Sequence, residues 1–333
     1  MPDLVVRLAT PSGAVVAVAP GGDLAAARRV GARSLADLLA GTAADFRAAV
    51  AQAADGGEPV TGRLLPPVDG LTEVWASGVT YLRSSQARQE ESEVADVYAR
   101  VYDAVRPELF CKAVAWRVVG HGEPVGIRTD SAVDVPEPEV ALVCTASGEV
   151  AGLTVCDDVS SRTIEGENPL YLPQAKTYAG SCAVGPGIVP VHQVPDLLDL
   201  DVTVEVLRNG TPSWAAATST RLLHRRLDDL VEHLFRAQAF PAGVVLSTGT
   251  GVVPELDWTL RAGDVVRVRV GGVGTLENPV RDVAGDAFGW LTPDPARDPA
   301  TLADHGRASP LSRAQKALVA PRRRCVRQPG VTG

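Results

Sequence analysis

Lysine is nearly missing from this chain. Of 32 basic side chains only three are lysines, Lys112, Lys176 and Lys316. Arginine serves wherever a plain positive charge will do, so a lysine that persists is a candidate for chemistry that needs a compact ammonium. Cysteine is sparse: the five (Cys111, Cys144, Cys156, Cys182, Cys325) show neither metal-ligand spacing nor a dense disulfide framework. That excludes a zinc ribbon or a stapled secreted scaffold and fits a reducing cytoplasm. No apolar run reaches the roughly 18 residues of a membrane span. Met1-Pro2-Asp3-Leu4 lacks the basic start and apolar core of a signal peptide. A basic stripe is missing too, and the net charge is −8. Neither nucleic acid nor a membrane is therefore expected as a partner.

What the chain concentrates lies at residues 136–176. This stretch holds Glu137-Pro138-Glu139, then Asp157-Asp158-Val159-Ser160-Ser161-Arg162, then Glu165-Gly166-Glu167-Asn168-Pro169 and Gln174-Ala175-Lys176. Residues 140–144 are apolar and β-prone, so Glu137 and Glu139 open a strand and, two apart, point to one face. A turn at Ser147-Gly148-Glu149 and a second β-prone run at 150–156 read as a hairpin that carries Asp158 back towards the pair. Carboxylates on one face repel each other unless a cation lies between them. Three hard oxygen donors without histidine suit Mg²⁺, with Mn²⁺ or Ca²⁺ as alternatives, better than Zn²⁺. A Glu-x-Glu pair alone is most often a solvated strand face, so the weight rests on the combination.

Residues 1–68 read as a small separate α/β unit. A hairpin of 5–9 and 14–18 is followed by Ala-rich helical patterns at 23–30 and 35–53, the second broken at Gly41-Thr42. The main body spans 69–289, and residues 290–333, rich in Pro, Ala and Arg, are expected to form a disordered tail. Within the body, 85–105 reads as a charged helix with Val94, Val97, Val101 and Val105 on one stripe. Residues 202–207 and 213–219 flank Asn209-Gly210, a hairpin signal, and 223–234 is an amphipathic helix. His224 and His233 within that helix read as surface or helix-end residues rather than ligands. Many short strands with hairpin turns and no βαβ rhythm make the fold mostly β with some α, an α+β class.

As an ordered set, Pro136-Glu137-Pro138-Glu139, Asp158-Val159-Ser160-Ser161-Arg162, Lys176 and Ser247-Thr248-Gly249-Thr250-Gly251 resemble the fumarylacetoacetate hydrolase superfamily. Glu167-Asn168-Pro169-Leu170-Tyr171-Leu172-Pro173-Gln174 and Arg106-Pro107-Glu108-Leu109-Phe110 are similar to its sugar-acid branch, the 2-keto-3-deoxy-D-arabinonate dehydratases. The resemblance covers residues 74–280. It implies a rolled mixed sheet with peripheral helices and Mg²⁺ held by Glu137, Glu139 and Asp158. It also implies Glu108, Lys176 and Arg162 as catalytic groups and Thr250 on the substrate, with Lys112 either on the substrate or in a structural pair. Hydrolase and decarboxylase members carry Asn-Tyr-x-x-His-x-x-Glu, whose His-Glu pair activates water. Aligned on Tyr81, this chain has Ser84 and Ala87 at those places, and neither is a general base. Arg83, Arg88 and Glu91 lie close by and read either as the lining of a lid over a polar substrate or, for some of them, as solvated helix charges.

The expected function is metal-dependent dehydration of a 2-keto-3-deoxy sugar acid, such as 2-keto-3-deoxy-arabinonate to 2,5-dioxopentanoate, by a cytoplasmic homodimer or homotetramer. Two alternatives stand beside it. An acylpyruvate hydrolase or oxaloacetate decarboxylase shares the metal but needs the missing His-Glu pair, and a non-catalytic keto-acid-binding protein needs no catalytic group.

Overall fold

An apolar run without alternation is the pattern of a strand covered on both faces. Residues 140–144 form such a strand, Pro138–Cys144, in a ten-stranded mixed sheet. The structure, a computed structural model, describes residues 1–91 and 100–291. On one side Pro138–Cys144 pairs with Val150–Asp158, which pairs with Cys182–Pro190 and, through it, the N-terminal strand Leu4–Thr10. On the other side come Val244–Ser247, then Glu73–Gly78, then Glu108–Val114. Val244–Ser247 and Glu73–Gly78 are parallel; the other pairings named here are antiparallel.

The two faces separate by the period of two. Val140, Leu142, Leu153 and Val155 pack towards a five-stranded sheet, meeting Val202, Val204, Val266, Val268 and Leu276. Ala141, Val143, Cys156, Val184 and Val245 pack on the opposite side with Leu35, Leu39, Phe46 and Val50 from the helices Leu35–Leu39 and Ala43–Gly56. Each such side chain taken from water stabilises the fold by about 1.5–3 kcal/mol for Val, Leu or Phe. The five-stranded sheet runs Thr211–Ser219, Asp201–Arg208, Val265–Val270, Gly274–Val283, Val125–Arg128. Its hairpin turns at Asn209 (φ 52°) and Gly210 (φ 77°), the left-handed pair of a type I′ turn.

These mixed sheets with helices outside them are the α+β arrangement expected. The N-terminal residues share the large sheet: Val5 pairs with Ile188. Arg7, buried, meets Asp69 at 3.0 Å and donates to the carbonyls of Pro66 and Val68. Asp69 in turn accepts from Leu35 N and Ala36 N at the start of a helix. The helical pattern at 35–53 breaks where Gly41-Thr42 stands, and Thr42 caps the second helix in a reciprocal pair with Asp45. The pattern at 23–30 is not a helix. It forms a short 3₁₀ turn, Leu24–Ala26, and a two-residue strand, Arg28–Arg29, because pairing with Val18 and Ala17 outcompetes a few alanines' preference for helix.

The charged helix begins earlier than expected, as Leu82–Glu91. Val94 and Val97 of the expected stripe lie outside the described residues, as do residues 292–333 with Lys316 and Cys325. Phe288 and Leu291 are packed in the core. The amphipathic helix is Leu227–Phe235, with Leu230 and Leu234 buried. Among the described residues no helix is long and apolar enough to cross a membrane.

Candidate metal centre and active site

The strand directions bring several chain segments together at one end of the large sheet. Pro138–Cys144 begins there, while Val150–Asp158, Val244–Ser247 and Glu73–Gly78 end there. Glu139 continues the parity of Ala141 and Val143, and Asp158 that of Cys156, so both carboxylates point to the same face. Asp158 N donates to Glu137 O at 3.0 Å, which sets Glu137 beside Asp158 although Glu137 precedes the strand. One carboxylate oxygen from each of Glu137, Glu139 and Asp158 lies within 4.8 Å of the others, and all three residues are buried.

The cations come from short helices whose starts the local sequence specifies. Ser161 caps the helix Arg162–Glu167 by accepting from Ile164 N, and one turn apart this helix presents Arg162 and Glu165. Asn168 accepts from Leu170 N, Pro169 starts the next turn, and the chain continues into Leu172–Lys176, which ends on Lys176. Lys176 Nζ donates to Glu137 Oε2 and to Ser160 Oγ, each at 2.6 Å, and lies 3.5 Å from Asp158 and 3.8 Å from Glu165. Arg162 meets Glu137 at 3.0 Å and Glu165 at 3.5 Å; Arg88 contacts Glu165.

Charge balance within the group is uneven. Burial pushes the Glu137 carboxyl up, but Lys176 and Arg162 outweigh it and hold the group at about 2. Burial disfavours the Lys176 ammonium, yet Asp158, Glu137 and Glu165 together hold it above the ordinary lysine range. Glu139 differs. It accepts from Ser247 Oγ at 2.5 Å and Gly249 N at 2.8 Å, but has no cationic partner among the described residues. Burial first, then Asp158 and Glu137, hold its carboxyl well above the usual range. A divalent cation between the three carboxylates would remove that penalty, so this donor set fits a hard, oxygen-seeking metal.

Of the other residues singled out above, Thr250 lines the cleft, with its hydroxyl turned to the Val252 backbone. Lys112 stands behind the carboxylates, in contact with Asp158 and with the carbonyls of Val159 (3.0 Å) and Lys176 (2.5 Å). Arg83 sits 3.8 Å from Glu255 and does not line the cleft that holds the carboxylates. Ser84 closes the Tyr81 turn by donating to Tyr81 O at 2.8 Å, and Ala87 is buried, so no base occupies the His-Glu places. Glu108 lies on the neighbouring wall, its Oε2 sealed from solvent without a hydrogen-bond partner; burial raises its carboxyl. With Glu165, Arg106, Val101 and Leu172 it lines a cavity of about 300 Å³.

Sequence reasoning gave no role to Glu165, Asp157 or Ser77. The i,i+3 spacing of Arg162 and Glu165 was the available signal for the first. Asp157 accepts from Glu137 N at 3.0 Å, and burial pushes its carboxyl up to about 7. Ser77 Oγ is buried in the cleft without a hydrogen-bond partner, and nothing local in the sequence marks it.

The chain is 42% identical over 224 residues to the 2-dehydro-3-deoxy-D-arabinonate dehydratase of Saccharolobus solfataricus, which spans 66% of this chain and 74% of that protein. It is 48% identical over 217 residues to a protein of Haloferax volcanii named "Probable 2-keto-3-deoxyxylonate dehydratase", spanning 65% and 74%. A solved structure of a 2-keto-3-deoxy-D-arabinonate dehydratase complexed with magnesium and 2,5-dioxopentanoate superposes with a TM-score of 0.73 at 32% identity. That superposition covers 85% of this chain and all of the other. Residues 73–281 match the family described as fumarylacetoacetate (FAA) hydrolase C-terminal. On this match, and on the ordered motifs that carry it, the chain belongs to the fumarylacetoacetate hydrolase family.

Proposed function

We propose that this protein is a divalent-metal-dependent dehydratase of a 2-keto-3-deoxy sugar acid, such as 2-keto-3-deoxy-arabinonate giving 2,5-dioxopentanoate. The observation that carries the reading is the buried triad Glu137, Glu139 and Asp158 within 4.8 Å, in a chain similar to dehydratases along two thirds of its length. Mg²⁺ is the metal of the reading, and as a Lewis acid it would draw electrons towards the ketone oxygen of a 2-keto acid and so acidify the C3 proton.

The protein's own groups supply the rest. Lys176 offers an ammonium to the oxygen on which negative charge develops. Three surrounding carboxylates favour its charged form, which supports a non-covalent role over a Schiff base. Arg162 holds Glu137 in place, and Thr250 is assigned to the substrate carboxylate. Glu108 is assigned the C3 proton and, once protonated, its return to the departing C4 hydroxyl, which leaves as water. The burial of its Oε2 supports this, since a sealed carboxyl keeps a proton more readily. Lys112 and Arg83 remain assigned to the substrate side, Lys112 through Asp158, which it contacts, and Arg83 as a cation paired with Glu255 outside the cleft.

Hydrolysis or decarboxylation by activated water is disfavoured by Ser84 and Ala87 at the His-Glu places. The partner is a small 2-keto acid. A homodimer or homotetramer is supported by exposed apolar side chains such as Leu170 and Val105, and a cytoplasmic location by the free thiols Cys111, Cys144, Cys156 and Cys182.

The test is turnover of purified protein with Mg²⁺ on a panel of 2-keto-3-deoxy acids and acylpyruvates. Loss of water from one or more deoxy acids is expected, with borohydride added during turnover leaving the protein mass unchanged. Cleavage of acylpyruvates alone, or no turnover at all, would reject the reading, and a reduced adduct on Lys176 would reject its non-covalent role.

A further inference from the structure

Gly78 and Glu108 are direct cross-strand partners, at the end of Glu73–Gly78 and the start of Glu108–Val114. Glycine at this position is not demanded by the backbone, for Gly78 is absent from the positive-φ residues, whereas its neighbour Val79 has φ 55°. A glycine in ordinary extended conformation costs roughly 0.5–1 kcal/mol relative to alanine and often marks close approach of another group. The approaching group here is one side chain. A Cβ placed on Gly78 would stand 1.9 Å from Glu108 Oε2, 2.5 Å from its Cδ and 3.2 Å from its Cγ. Those are the three nearest atoms, so the Glu108 side chain lies across the bare backbone of the facing strand.

The location gives the contact meaning. Gly78 lines the cleft that holds Glu137, Glu139, Asp158 and Lys176, and Glu108 lines the adjoining cavity with Glu165. The carboxyl of Glu108 therefore rests at the boundary between the two spaces, with Oε2 sealed from water. We infer that Gly78 is a positioning residue, whose missing side chain forms the seat that holds the Glu108 carboxyl against the metal-binding cleft. This deepens the dehydratase reading and rests on Glu108 as its acid–base group. The seat explains how a carboxyl on a strand end keeps one orientation with no hydrogen bond to its inner oxygen. With alanine at 78 the strand retains its backbone, but the far end of a flexible side chain has to swing away.

Two measurements separate this from ordinary packing. Gly78→Ala should fold and bind Mg²⁺, with KM little changed and kcat lowered about 10²-fold or more, in the range of a lost general acid–base. In a Glu108→Gln background the same substitution should cost less than twofold further, because residues acting through one another are not additive. The second measurement needs no activity. Gly78→Ala should lower the melting temperature with Glu108 in place and leave it unchanged, or raise it, beside Glu108→Ala. If Gly78→Ala alone fails to fold, the Gly78→Ala/Glu108→Ala double variant should fold. A kcat within twofold of wild type, equal kcat losses in both backgrounds, or equal melting shifts with and without the Glu108 side chain would overturn the inference. Wild-type protein that dehydrates no substrate would instead remove the dehydratase reading and leave the melting comparison to decide the seat.

Discussion

Arg7 and Asp69 meet at 3.0 Å in the N-terminal part of the molecule, and every strong group they bring has a partner. Arg7 also serves two carbonyls, and Asp69 caps a helix. At the end of the large sheet the buried charges do not close in this way. Lys176, Arg162 and Arg88 share Glu137 and Glu165, while Glu139 keeps only a hydroxyl and an amide. A buried charge without a counter-charge is costly, and folding alone gains nothing from it. A self-satisfied cluster therefore marks architecture, and a cluster left short of positive charge marks a place completed by a ligand.

The sharpest way to break the comparison is to remove the excess charge. Glu139→Gln keeps an acceptor for Ser247 and Gly249 while deleting the carboxylate. Its kcat/KM should fall about 10³-fold or more, since several kcal/mol of charge stabilisation leave with the metal. Its metal-free melting temperature should equal or exceed that of wild type. Mg²⁺ should raise the wild-type melting temperature, by about 2.7 kcal/mol of stability at 100 times its Kd, and leave the variant unmoved. EDTA should abolish wild-type turnover and Mg²⁺ restore it. A variant that loses activity but still shifts with Mg²⁺ would place the metal elsewhere.

The self-satisfied cluster predicts the reverse. Asp69→Ala strands a buried guanidinium and uncaps a helix, so urea denaturation should show a loss of about 3–5 kcal/mol. Activity per folded molecule should stay within twofold, because neither Arg7 nor Asp69 lines the cleft. The smallest effect is expected at Asp134, where burial pushes the carboxyl up to about 6 from an ordinary 3.8. A raised carboxyl contributes stability that is present below the unfolded value and lost as pH rises through the folded one. Asp134→Asn should thus match wild type at pH 4 and melt about 2–4 °C higher at pH 7. Equal melting at both pH values would show that the Arg128 amide already compensates the charge.

Much of the fold and of the carboxylate grouping was readable in the chain because it depends on short periods. The alternation from Glu139 to Val143 sets Glu139 on the face of Ala141, and the Gly148 turn (φ 81°) together with a register shift between Val150 and Gly152 decides which residues of the return strand oppose it. Where local preference was weak, as in the alanines of 23–30, pairing with a strand decided the outcome instead. Glu165 was hard to foresee because its partner Arg88 lies 77 positions away on the Leu82–Glu91 helix, a separation that no periodicity spans.

By itself the sequence determined the strand that carries Glu139, the hairpin that returns Asp158, the Ser161 cap that starts the helix of Arg162, and the absence of a water-activating His-Glu pair. Each of these follows from neighbours within a few residues, where propensity, capping and pleat act directly. Tertiary structure alone decided that Glu139 has no cation among the described residues, that Lys112 stands behind Asp158, and that Glu108 lies over Gly78. Those outcomes depend on strand order and register between distant segments, and burial then converts proximity into electrostatics by removing the water that would have screened it.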